Sequence, residues 1–276
     1  MYDSASNETM VSGTIFDNYA KLFLIKFSIS EERKSILDDT AQKINSDPMT
    51  AEMSEQFHKR LGVRLNNSSN AIEGLDLTLS QTELILENEI VALSPEKIID
   101  VVGHEKAHKV VLRILKENRD LTIEDVLKIN NSVLSGGDNA GCFRKPGMLA
   151  RIRGRRVVTA HPVEIPGLMQ KIVDYFNDRA VHVLDRLVNF HVMFVRVHPF
   201  VDGNGRTVRL LLALLSLRSD YGLFMINKNK RVDYFDAIAA WEDDCDTEKM
   251  GALFYQSMLE VHKIYTDSLR CKCVLA

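Results

Sequence analysis

The stretch VHPFVDGNGRTVRLLL, residues 197–212, changes character in its middle. It begins with an imidazole, passes through an acid and two glycines, and continues as an apolar helix with arginines in its first turns. Pro199 forces the chain out of the preceding helix, so His198 ends that helix. An unperturbed imidazole titrates near pH 6.5 and can serve as a neutral base. Asp202 is an oxygen ligand of the kind Mg²⁺ takes, one or two carboxylates being completed by substrate phosphates. Gly203 and Gly205 let the backbone approach a ligand closely. The following helix points unpaired N–H groups and its positive end at the loop, a ready anion site. Arg206 and Arg209 lie three apart on one side of that helix, suited to clamping phosphate oxygens. A lone Gly-x-Gly would mark only a helix–turn–helix corner; here base, acid, anion nest and two guanidinium groups coincide within twelve residues.

Outward from this corner the periodicity is helical nearly everywhere. Apolar residues recur at helical spacing in IFDNYAKLFLIKF (15–27), in ERKSILDDTAQKI, and through AEMSEQFHKRLGVRL into NNSSN and AIEG, with Gly74 as a stop. Ser80 and Glu83 have the spacing of a capping box. Pro95 opens a long helix at its first position, and Thr122 with Asp125 opens the next. Between 135 and 162 the pattern breaks: SGGDNAG is a loop, and MLARIRGRRVVTA reads as two short strands about Arg153-Gly154. Helical periodicity then resumes to the end. His191, on the very apolar helix before His198, is expected to be a packed core residue.

Bulk properties exclude several classes. A chain of 276 residues with net charge -3 has no global basic field, so no nucleic-acid partner is expected. MYDSASNETM lacks a signal region, and the longest pure apolar run, LLLALL, falls far short of the ~20 residues that span a bilayer. Four cysteines at irregular spacing, Cys142, Cys245, Cys271 and Cys273, suit a reducing, cytoplasmic compartment better than a disulfide scaffold.

HPFVDGNGRTVR (198–209) resembles the HPFx(D/E)GNGRxxR signature of the Fic family of nucleotidyltransferases at every fixed position. GCFRK (141–145) resembles that family's Gly-x-(Tyr/Phe)-Arg before its flap, and RVDYFDAI (231–238) the stretch lining the nucleotide base. The resemblance implies an all-α Fic fold with a small β-hairpin flap. The expected organisation is a helical region at 1–60, a Fic domain at 61–262 with its flap at 146–160, and a tail at 263–276. It implies transfer of AMP from ATP to a Ser, Thr or Tyr hydroxyl of a target protein docked on the flap. His198 would take the hydroxyl proton, and Asp202 would hold Mg²⁺. Asn204 and the Gly203 and Gly205 amides would cradle the anion, Arg206 the β-phosphate and Arg209 the γ-phosphate. Tyr234 would contribute to nucleotide binding. Relatives that phosphorylate their target carry Lys in place of the second glycine, so Gly205 favours nucleotidyl transfer.

SNAIEG (69–74) matches the same family's (S/T)xxxE(G/N) inhibitory motif, with Ser69 and Glu73 at its fixed positions. Glu73 would pair with Arg209 and occupy the space the γ-phosphate requires. Two unit charges about 4 Å apart gain about 4 kcal/mol at an effective dielectric near 20, before desolvation is subtracted. In some relatives the same glutamate positions water for removing AMP, so de-AMPylation is left open, as is a homodimer.

Two signals compete. His104-Glu105-Lys106-Ala107-His108 is a literal HExxH and would make the chain a zinc hydrolase. A non-catalytic nucleotide sensor would keep the anion nest without turnover. Arg151, Arg153, Arg155 and Arg156 stud the flap segment, as a solvated edge strand or as a dock for an acidic segment. The terminal CVLA fits a prenylation box at Cys273, which would attach the chain peripherally to a membrane.

Overall fold

The computed structural model describes residues 26–47, 49–148 and 159–270. The flap segment 149–158, most of the first expected helix (15–27) and the CVLA tail lie outside the described residues. Ten α-helices occur among the described residues, and no strand occurs among them.

Two helices form the centre. In α7 (Val183–Val197) nearly every residue is buried, and in α8 (Asn204–Arg218) the run LLLALL is buried throughout. An apolar helix without a polar face must be enclosed on all sides. The enclosing helices are α6 (Ile165–Asn177) and α10 (Glu248–Arg270) against α7, and α4 (Pro95–Glu117) and α5 (Ile123–Val133) against α8. Phe190 packs edge-on to Phe176 with ring centroids 5.0 Å apart, a favourable quadrupole arrangement inside this core.

The N-terminal helices are not a separate body. The backbone at Phe27 exchanges two hydrogen bonds with the Asn189 amide, of 2.7 and 2.8 Å. Asp185 accepts from the Ile29 amide at 2.7 Å and pairs with Lys34 at 2.6 Å, so α1 (Glu31–Ser46) is stitched to α7. The expected helix over 15–27 does not include Lys26 and Phe27, which are extended.

Helix α2 (Ala51–Ile72) runs under the central corner. Its stretch Asn66-Asn67-Ser68-Ser69-Asn70 is polar yet buried, which its partners explain. Asn66 donates to the Val101 carbonyl at 2.9 Å and Asn70 donates to Asn66 at 2.8 Å. Asn67 donates to the Leu77 carbonyl and to Thr82, at 2.9 and 3.0 Å. The helix stops at Gly74, whose φ of 93° only glycine adopts cheaply. The Gly74 and Leu75 amides donate back to the carbonyls of Ala71 and Asn70, closing a Schellman motif with Glu73 at the C-cap.

One expected cap moves. Helix α3 (Leu79–Leu86) is capped by Thr78 and Gln81 in a reciprocal box, not by Ser80 and Glu83. The overlapping T-x-x-Q pattern wins because starting at Leu79 leaves Leu77 and Ile85 to form a small core with Val101. The box of Thr122 and Asp125 at the start of α5 forms as expected.

The corner itself is held from α5. Asn130, fully buried, accepts from the Gly141 amide at 3.0 Å and donates to the Asp202 carbonyl at 3.1 Å and Thr207 at 3.2 Å. Asn130→Ala leaves that amide and carbonyl without their partner. The expected cost is about 3 kcal/mol, a fall in Tm of roughly 5–10 °C by scanning calorimetry. A loss within error would show that the corner does not depend on this side chain.

Three buried histidines predict a pH dependence. Burial holds His191 down to about 3, with Arg209 adding to the shift, and burial also lowers His104 and His262. The unfolded chain, titrating near 6.5, therefore binds protons that the native chain refuses. Stability is complete above about pH 6.5 and falls as pH drops below it, by as much as about 1.4 kcal/mol per unit for each proton. Urea midpoints should decrease from pH 7.5 to pH 5; identical midpoints would mean that these rings protonate in the fold.

Candidate active site

Helix α7 ends at His198, whose φ of 50° turns the chain sharply before Pro199. That left-handed turn is braced by Arg144, which donates to the His198 carbonyl at 2.7 Å and the Ala160 carbonyl at 2.9 Å. The Arg144 amide adds a bond to the Pro199 carbonyl at 2.9 Å. This accounts for the arginine of GCFRK: it is a buried clamp on the corner. The His198 Nδ1 lies 3.2 Å from the Val195 carbonyl. A carbonyl can only accept, so Nδ1 carries the proton and Nε2 is the basic nitrogen of the neutral ring.

His198, Asp202, Gly203, Asn204, Gly205, Arg206 and Arg209 line one cavity of about 970 Å³, together with Glu73 and Tyr234. The structure thus brings together the expected site residues of the corner and the C-terminal end of α2. Helix α8 begins at Gly203, with φ 76° and no side-chain cap. Its first amides are left to whatever the cavity holds. Asp202 accepts from the Gly203 amide at 2.7 Å.

Asn204 lines the cavity and also holds the loop, accepting from the Phe200 N–H at 3.0 Å and donating one N–H to the Phe200 carbonyl at 2.8 Å. The side chain closes the loop as a staple. Tyr234 has a structural role as well. It is buried in the cavity wall, its hydroxyl 2.8 Å from His191 Nε2 and its ring 5.8 Å from the Arg209 guanidinium. His191 is the packed core residue that the sequence suggested. Its neutrality suits a ring beside Arg209, where a second cation would be repelled.

Arg209 is 3% exposed and pairs with Glu73, Nη2 to Oε1 at 2.7 Å. The same guanidinium donates from Nε to the Ser69 hydroxyl at 3.1 Å and from Nη2 to the Ser69 carbonyl at 2.8 Å. Burial alone would lower its pKa, but Glu73 and Tyr234, through charge and hydrogen bonding together, outweigh burial and raise it. The pair explains Gly205 as well: a Cβ there would lie 2.2 Å from Glu73 Oε1 and 3.1 Å from an Arg209 Nη1.

Arg206 is engaged too, by a residue the sequence did not single out. It forms an ion pair with Asp100, from the second turn of α4. Acids early in a helix are ordinary, so no local signal marks Asp100. Asn130 was likewise silent, an amide within the unremarked segment INN.

The HExxH residues face elsewhere. His104 is fully buried, and its pKa is lowered by burial, by His108 and by the guanidinium groups of Arg209 and Arg206. His108 faces Glu105 on the same helix, Nδ1 to Oε2 at 3.9 Å. Among the described residues no group of three His, Cys, Asp or Glu side chains gathers into a metal site.

Residues 120–216 match the model of the Fic/DOC family. The chain is 35% identical over 179 residues to protein adenylyltransferase fic-1 of Caenorhabditis elegans, covering 61% of this chain and 34% of that protein. It is 28% identical over 220 residues to protein adenylyltransferase Fic of Nematostella vectensis, covering 75% of this chain and 50% of that one. The chain thus spans a third to a half of the length of these relatives. The fold is similar to that of a solved fragment of C. elegans Fic-1 (TM-score 0.77, 23% identity, 98% of this chain and 79% of that one). It is also similar to a Fic domain containing signaling protein of Bacteroides thetaiotaomicron (TM-score 0.71, 20% identity, 85% and 97%). The matched segment, residues 120–216, contains the whole corner and His198, and it is there that the chain resembles the Fic/DOC family.

Proposed function

We propose that this chain transfers AMP from ATP to a hydroxyl side chain of a target protein and that Glu73 restrains the reaction. The observation that carries the reading is the convergence of the His198 base, an uncapped helix N-terminus and two buried arginines on one cavity. The names of the curated relatives agree with it. In the transfer, the target hydroxyl oxygen attacks the α-phosphorus while His198 Nε2 accepts the hydroxyl proton. A new oxygen–phosphorus bond forms, the bond to the bridging oxygen breaks, and pyrophosphate leaves. Arg206 and Arg209 balance charge on the departing phosphates, which in such reactions supplies much of the rate.

Mg²⁺ fits this site. Asp202 presents a carboxylate at the cavity edge, and the ion would draw its remaining oxygens from the nucleotide. When bound it would neutralise phosphate charge; Asp202 is the residue that would hold it.

The restraint is competition for one guanidinium. A γ-phosphate reaching Arg209 must replace the Glu73 carboxylate, and the two anions cannot share that space. Glu73→Gly should raise labelled-AMP incorporation into target or self by about tenfold or more, as expected if at least ~1.4 kcal/mol of competition is removed. Equal incorporation by both proteins would remove Glu73 from this role. Adding His198→Ala to the released protein should lower incorporation by roughly 10²–10⁴ while ATP still binds. Retained turnover would show that another group is the base, and nucleotide uptake without turnover in the released protein would make the chain a sensor.

A further inference from the structure

Both clamp arginines are held by carboxylates, and the two acids come from different helices that precede the family-matching segment. Glu73 caps α2 and pairs with Arg209; Asp100 stands on α4 and pairs with Arg206. Asp100 lines the same cavity as His198 and Asp202. Arg206 is 8% exposed, and its buried Nε has no hydrogen-bond partner, so the pair with Asp100 is its main compensation. Burying a guanidinium with that little support leaves it strongly disposed toward an anion.

We propose that Asp100 is a second acidic lock that sets the affinity of this site for the β-phosphate of a nucleotide. The proposal rests on the reading of the cavity as a nucleotide site and deepens it. The Asp100 Oδ1 and an oxygen of a diphosphate compete for the Arg206 Nη1 donor. The geometry makes the lock releasable. Asp100 is 41% exposed at its side chain and can turn to solvent, whereas Arg206, 9% exposed, stays. The locks also share a base. The Asn66 amide of α2 donates to the carbonyl of Val101, the residue after Asp100, and Asn70 donates to Asn66 one turn before Glu73. Both carboxylates therefore ride on one hydrogen-bonded pair of helices. Removing Glu73 frees Arg209 for a γ-phosphate and leaves Arg206 still engaged.

The two locks differ in which nucleotide they discriminate. Glu73 acts where only a triphosphate reaches; Asp100 acts on any nucleotide with a β-phosphate, and neither touches AMP. The test is calorimetric titration of Glu73→Gly and of Glu73→Gly with Asp100→Asn, using AMP, ADP and ATP, each with and without Mg²⁺. Asp100→Asn should tighten ADP and ATP roughly fivefold and leave AMP unchanged. Asp100→Glu, which keeps the charge, should restore the weaker affinities; thermal unfolding of each variant confirms that the fold is intact. If ADP affinity is unchanged, or AMP tightens equally, Asp100 is not a β-phosphate lock. Weaker ADP binding would overturn the proposal in the other direction, making Asp100 a helper of the phosphate or its metal. Should Glu73→Gly bind none of the three nucleotides, the reading of the cavity fails, and the lock fails with it.

Discussion

A guanidinium that is 3% exposed has to be paired, and most of the site follows from how Arg209 meets that demand. It is positioned by α8, which is itself enclosed because its LLLALL run has no polar face. Lost hydration is replaced by three bonds from the end of α2: the Ser69 hydroxyl, the Ser69 carbonyl and the Glu73 carboxylate. The first two are fixed parts of the wall. Glu73 is 30% exposed at its side chain and stands at a helix end, so it is the least confined partner of Arg209. A Cβ at position 205 would lie 2.2 Å from Glu73 Oε1, so any larger residue there would push the carboxylate aside.

The same economy of charge runs through the neighbours. Tyr234 and neutral His191 form a polar wall beside Arg209 that adds no positive charge. Arg206 repeats the arrangement at the other side of the cavity, with Asp100 in the place of Glu73. Two buried cations on one turn of a helix are tolerable because each has a carboxylate. Burial first, then His108 and the two guanidinium groups, hold the pKa of His104 well below that of a free imidazole.

Legibility in the sequence followed the range of the interactions. The corner 198–209 could be read in detail because its geometry is local: Pro199 ends one helix, Gly203 starts another, and three residues later a side chain has returned to the same face. The pairing of Glu73 with Arg209 came from resemblance to a family pattern, and the bonds of Ser69 to the same guanidinium emerged only in the structure; spacing within the segment could not have indicated a partner 136 residues away. Local reading failed where two patterns overlapped, as in TLSQTE, since Thr78 and Ser80 both have a suitable residue three positions later. It did not show that the Asn204 amide also staples the backbone of Phe200, a contact set by the turn between the two helices.

The sequence by itself determined the helical class and which residues form the corner that lines the cavity. Periodicity and turn residues act over a few positions, and the chain carries that information directly. Tertiary structure alone decided that a run of asparagines and serines is interior, because burying NNSSN is favourable only once Val101, Leu77 and Thr82 supply its partners. It alone decided that Asp100 belongs to the cavity and that Asn130 and Arg144 hold the corner in shape. Those residues act through hydrogen bonds and charge across large sequence separations, where a residue's type is common and only its position in space is informative.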